Sequence, residues 1–381
     1  MFQVHFITVP MNNLPGNRYS SFLKGRYLMN AKRKRTPVEK FGARIATLDS
    51  KLGANLNQFL PYWWENSLND SPGASQQAIV SMARLLNLDL ATVINESVDL
   101  SFEKISCCYK KTKDKKFSDL QAATSLIRSY SKTVSKATVN NYIFFSEPDE
   151  IRKEILMNGK PWVDFVSLVQ YCWSHGVPVI FLPDLFSLKK MDAVVQKIGE
   201  RPVIAIAKKC KYDSELLFLL AHEMGHIYHD HIDNNKVIID NKVNEQRSGA
   251  IGNDCFFDTE KEANNFALSV ITGDEHTSFY SNGKYMKGEV LATGAMQKAK
   301  EISVDPGHVA LNWAHTRVNS PQIDNKDKKI IWAVAFKALG ILFPSPNWKK
   351  QLQALFLDNI DEDRADEDQV EYLFDALKIV G

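Results

Sequence analysis

Five residues, His222-Glu223-Met224-Gly225-His226, restrict this chain more than any other segment. Imidazoles four positions apart project from one face of an α-helix, one above the other, so both can grip a single ion. Neutral imidazole nitrogen suits Zn²⁺ at about 2.0–2.1 Å. Glu223 is turned by about 100° from His222 on the helix. It can stand beside an ion without ligating it and take a proton from attacking water. The motif continues an apolar stretch, Leu216–Ala221. The spacing predicts a helix that starts near Ser214, read as the N-cap, with Glu215 in its first turn, and runs to about His229.

A catalytic zinc needs a third protein ligand and an open fourth position. The metzincin arrangement, which places a third His ten residues after the first, is excluded by Ile232. His229 shares a face with the two motif histidines but lies a turn further on, which suits an outer support or a packing role. A second helix predicted over Asp258–Thr272, with Ala263, Phe266, Ala267 and Val270 on one face, offers Glu260 and Glu262. Helical projection puts Glu260 nearer the apolar face, and Glu262 remains its competitor. Asn264, one turn beyond Glu260, can accept a hydrogen bond from a ligating imidazole. Cys255 lies between the two ligand segments and could occupy the open metal position until oxidised or displaced; an inert buried thiol is the plainer expectation. The chemistry is coherent, because zinc lowers the pKa of water it binds to roughly 7 and polarises a carbonyl oxygen.

The rest of the chain sets the context. With 47 basic and 45 acidic residues, the net charge of +2 gives no global field for nucleic acid or membrane. No apolar run approaches the ~20 residues of a membrane-spanning helix. The N-terminus lacks the features of a secretory signal. Five cysteines without a CxxC pair suit a reducing compartment, so a cytoplasmic location is expected. Residues 1–45, with the basic run Lys32-Arg33-Lys34-Arg35, read as a partly disordered N-terminal segment. Residues 46–117 read as a helical N-terminal domain, broken at Ser71-Pro72-Gly73, of a kind that can form a helix-turn-helix, although nothing in them reads bases.

Residues 118–275 read as the metal-bearing core. Leu120–Tyr130 and Ile151–Ser174 are expected to be helices, and Val177–Leu182 and Pro202–Ala207 strands. Residues 276–381 read as a C-terminal helical domain ending in an acidic tail exposed to solvent. The expected class is α+β: a mainly helical multidomain chain around a small zincin-like core, made of a short β-sheet, the motif helix and the third-ligand helix.

Two segments, FLLAHEMGHIYHDH (Phe218–His231) and EKEANNFALSVI (Glu260–Ile271), together resemble the ImmA/IrrE family of metallopeptidases. The resemblance implies His222, His226 and Glu260 as zinc ligands and Glu223 as general base. It further implies a protein substrate, a helix-turn-helix repressor or antitoxin, in bacterial, phage or mobile-element gene regulation, and a substrate lying extended along the cleft edge beside the strand at Val203–Ala207. It covers about residues 150–315. Two departures stand out: Thr272-Gly273-Asp274 follows the ligand helix where the family closes with an apolar run and Pro, and the Asn-rich stretch between His226 and Glu260 is long. The alternative from another class is a zinc-stabilised regulator or toxin component that binds protein or nucleic acid without proteolysis.

Overall fold

The computed structural model describes residues 34–379 except 105, 110–117, 183–190, 233–235, 241–253, 282–285 and 322. In chain order the elements are α1 (Pro37–Leu48), α2 (Ser50–Ala54), α3 (Pro72–Leu85), α4 (Leu90–Ile94), β1 (Ser106–Tyr109), α5 (Ser118–Ala137), α6 (Pro148–Met157), α7 (Phe165–Ser174), β2 (Val179–Phe181), β3 (Ala193–Ile198), β4 (Arg201–Ile206), α8 (Ser214–Tyr228), β5 (Lys236–Asp240), α9 (Asp254–Thr272), α10 (Gly288–Ile302), α11 (Pro306–Val318), α12 (Asn325–Leu342), α13 (Trp348–Asp358) and α14 (Glu367–Leu377). The class is α+β, mostly helical around one small mixed sheet. Among the described residues no helix is long and apolar enough to cross a membrane.

Local chemistry explains where several helices start. Thr36 and Glu39 form a capping box with Pro37 at the first helical position, so α1 already begins inside the segment expected to be irregular. The break expected at Ser71-Pro72-Gly73 is where α3 opens, because the Ser71 hydroxyl accepts from the Ala74 amide and Pro72 has no N–H that would need an acceptor. The stretch Ile151–Ser174 is two helices: Gly159, at φ +84°, ends the first, and Asp164 with Ser167 forms a capping box for the second. Arg44 of α1 donates to the carbonyls of Thr92, Val93, Asn95 and Val98. That fork ties α1 to the end of α4 and neutralises acceptors that a short helix leaves open.

The sheet runs in the order β1-β5-β3-β4-β2. β4 pairs antiparallel with β3 and parallel with β2, so both its edges are filled. A substrate therefore cannot add as a strand beside Val203–Ile206, which corrects the expectation of pairing there. The edge strands are β1 and β2, and β4, buried almost throughout, leads directly into α8.

The acidic tail is more engaged than expected. Asp366 pairs with Arg84 at 2.9 Å, Glu367 accepts from the Tyr62 hydroxyl, and Asp368 accepts from the Trp63 indole N–H. These partially exposed contacts dock α14 on the N-terminal helices, and Val370 and Leu373 of α14 are buried.

The first turn of α11 packs on the first turn of α8, where a Cβ on Gly307 would collide with the Ser214 side chain. Asp305 caps α11 by accepting from the His308 amide at 2.7 Å. Burial raises the Asp305 carboxyl from 3.8 to about 7 and lowers the His308 imidazole from 6.5 to about 4. The signs oppose each other. Native Asp305 holds a proton that the unfolded chain releases, so its contribution is present at low pH and is lost as pH rises from about 4 to 7. Native His308 resists a proton that the unfolded chain accepts, so its contribution is lost as pH falls from 6.5 to about 4. Asp305→Asn keeps the cap. It should be stabilised relative to the parent at pH 8 and lose stability more steeply between pH 7 and 4, while His308→Gln should flatten the acid side. Urea midpoints at pH 8, 6 and 4.5 test this, and parallel profiles for all three proteins would refute it.

Candidate metal centre

The helix that carries the motif is built to be buried. Every residue from Leu216 to Ile227 lies inside, including His222 and Glu223 at 0% exposure and His226 at 1%. Asp213 serves as its N-cap, accepting from the Ser214 amide, so the cap lies one residue earlier than the sequence suggested. Charged and imidazole side chains at such depth need partners.

The close packing of α9 on α8 supplies one. Gly225 sits against the α9 backbone: a Cβ there would lie 2.8 Å from Ala263 Cα, 2.9 Å from its carbonyl oxygen and 3.2 Å from Phe266 Cβ. Because Gly225 falls between the two histidines, the closest approach of the helices occurs at the site itself. Ala263, Phe266, Ala267 and Val270 seal the seam. Arg152 of α6 fixes the far end of α9, donating to the carbonyls of Ile271, Ile302 and Ser303.

Across this seam Glu260 reaches both imidazoles. His222 Nε2 and His226 Nε2 are 3.1 Å apart, Glu260 Oε2 is 3.9 Å from the first and Oε1 is 3.6 Å from the second. These three residues form a group able to hold a metal ion, with donor atoms within 4.8 Å of one another. A tetrahedral zinc with bonds of about 2.05 Å requires ligand atoms roughly 3.3 Å apart. The observed spacings bracket that value.

The outer nitrogens show which inner atoms carry lone pairs. His222 Nδ1 lies 2.9 Å from Asn264 Oδ1, an acceptor, so the Nδ1 proton points outward and Nε2 presents its lone pair. His226 Nδ1 lies 2.9 Å from His231 Nδ1, and His231 Nε2 lies 2.9 Å from Glu262 Oε2. The carboxylate requires His231 to donate from Nε2, and with a neutral His231 ring its Nδ1 is left to accept from His226. Both Nε2 atoms of the motif therefore present lone pairs toward one point, with a carboxylate beside them. Neutral lone pairs at 3.1 Å repel, and a cation between them removes the conflict. The donor set fits zinc.

Glu260 and Glu262 thus take different places: Glu260 stands with the imidazoles, and Glu262, half exposed, holds His231. His229 does not face the site. It is exposed, stacks on His231 with ring centroids 5.4 Å apart, and meets Phe266 edge-on. His231 takes the outer position because α8 ends in a Schellman motif. Asp230 is left-handed at φ +52°, its amide bonds the Ile227 carbonyl, and the His231 amide bonds the His226 carbonyl. That turn folds His231 back over His226, a geometry that helical projection cannot reach. The Cys255 side chain lies outside the described residues.

Replacing Gly225 by Ala should force α8 and α9 apart at the metal centre. The expected cost is about 1–3 kcal/mol of stability. Zinc affinity should fall with it, since Glu260 retreats with α9. Urea unfolding and chelator competition on the full chain measure both, and wild-type values in each would show that the seam has slack.

Comparison with known proteins agrees with this geometry over part of the chain. The model for peptidase family M48 matches residues 203–303, roughly a quarter of the sequence. The match spans β4, α8, β5, α9 and α10, and so includes every member of the His222, His226 and Glu260 group. No curated protein and no solved structure matches the chain. The matched region is similar to a zinc metallopeptidase family, and its donor set is the one such chemistry requires.

Proposed function

We propose that the protein is a zinc-dependent endopeptidase that hydrolyses a peptide bond in one specific protein partner. The observation that carries this reading is the convergence of two lone-pair nitrogens and one carboxylate, with a second carboxylate, Glu223, buried next to the first ligand. Structural zinc sites are closed by four protein ligands, whereas a catalytic site keeps a position open. The described donor group has three members.

In this reading His222, His226 and Glu260 would hold a zinc ion, which when bound would supply the Lewis acidity for activating water and polarising a carbonyl. Glu223 accepts the proton of the attacking water and delivers it to the leaving amine. Complete burial keeps competing water away from this carboxylate and strengthens each electrostatic contact it makes with the reacting groups. Asn264 and His231 hold the imidazoles so that their lone pairs stay aimed inward.

The resemblance of Phe218–His231 and Glu260–Ile271 to the ImmA/IrrE family supports a narrower version. The partner would be a helix-turn-helix repressor or antitoxin in bacterial, phage or mobile-element gene regulation, cleaved in the cytoplasm. The match to peptidase family M48 supports the metallopeptidase chemistry without selecting that partner.

Glu223→Gln separates proteolysis from the alternative of a zinc-stabilised regulator or toxin component. The variant should bind zinc as the parent does and lose cleavage of a co-expressed repressor by about 10²–10⁴-fold or more. Full regulatory function in Glu223→Gln, with no fragments from either protein, would reject the peptidase.

A further inference from the structure

We infer that Glu262, acting through His231, locks His226 in the tautomer that a metal needs, making both positioning residues of the centre. The inference deepens the zinc-peptidase reading and rests on it for its consequence, but the lock itself is a property of the protein alone.

Three distances carry it. Glu262 Oε2 to His231 Nε2 is 2.9 Å, His231 Nδ1 to His226 Nδ1 is 2.9 Å, and His226 Nε2 is 3.6 Å from Glu260 Oε1. An ionised carboxylate can only accept, so His231 must donate from Nε2. When His231 is neutral it has one N–H, so its Nδ1 is an acceptor and His226 must donate from Nδ1. His226 Nε2 is then left with its lone pair toward the Glu260 carboxylate and His222. Once Glu262 no longer accepts from Nε2, the other His231 tautomer, in which Nδ1 donates, is no longer excluded by that carboxylate. His226 Nδ1 would then accept, and its proton would move to Nε2, where it blocks a cation.

The arrangement also explains two acidic residues two positions apart on α9. Residues two apart on a helix point about 200° apart, so Glu260 and Glu262 cannot serve the same atom. They serve opposite ends of one relay: Glu260 meets the inner nitrogen of His226, and Glu262 reaches its outer nitrogen through the ring that the α8 C-terminal turn folds back. Glu262 is 52% exposed and His231 9% exposed at the side chain, so the relay runs from the rim to the buried ligand. An exposed carboxylate contributes little as an ion pair. Its effect here is directional, choosing which nitrogen carries a proton.

Long-range ¹H–¹⁵N imidazole spectra of the metal-free full-length protein read the tautomers directly. The lock predicts His226 protonated at Nδ1 and His231 at Nε2, both becoming mixed in Glu262→Ala and also in Glu262→Gln, whose amide can donate as well as accept. Chelator competition should show zinc binding weakened about 10–100-fold in Glu262→Ala. Glu262→Gln, which keeps the size but not the acceptor-only character, should stay weakened as well. His226 protonated at Nε2 in the parent, a pattern unchanged in Glu262→Ala, or zinc affinity equal to the parent's in Glu262→Ala would each overturn the inference. Failure of the parent to bind zinc at all would instead sink the peptidase reading, and the spectra would still judge the lock.

Discussion

The structure depends on how closely α9 can lie on α8. Gly225 leaves room for the Ala263 backbone at the one level of the helix where His222 and His226 point toward α9. A Cβ there would meet the Ala263 backbone and force the helices apart, drawing Glu260 away from the imidazoles. The sheet contributes by anchoring the approach: β4, paired on both edges, delivers the chain into α8, and α6 fastens the end of α9 through Arg152. Packing thus does what the motif alone cannot, since two imidazoles on one helix do not make a three-coordinate centre.

Polarity inside this seam is tolerated in part because each motif imidazole has an outward counterpart. The Asn264 amide oxygen faces one imidazole, and the His231 ring, itself held by Glu262, faces the other. Buried imidazoles with unassigned protons could adopt several tautomers, each costly if mismatched. Fixing the outer nitrogens selects one arrangement before any ion arrives. That is pre-organisation in its plainest form: the donors are already aimed, so less is lost in ordering them on binding.

Much of the centre was legible in the sequence because its spacing is local. The repeat of four between His222 and His226, and the apolar face of Ala263, Phe266, Ala267 and Val270, follow from helix geometry alone. What was not legible depends on turns and on long-range pairing. His231 lies five residues after His226 and reaches it only because Asp230 turns left-handed, which the expectation of His229 in that role missed. The strand β3 went unrecognised because Gln196 and Lys197 interrupt its apolar run. Gln196 is nonetheless buried, bonded to the Ser131 hydroxyl and to Arg128 of α5. Strand order, and with it the loss of β4 as a docking edge, is set by partners distant in sequence.

Two imidazole nitrogens and one carboxylate between α8 and α9 form a group able to hold one divalent ion. Anomalous diffraction at the zinc edge, from crystals of the full-length protein grown with one equivalent of zinc, tests it most directly. The account predicts a single strong peak at about 2.0–2.2 Å from His222 Nε2, His226 Nε2 and a Glu260 oxygen. No peak between these side chains, or an ion held by Glu262 in place of Glu260, would contradict it.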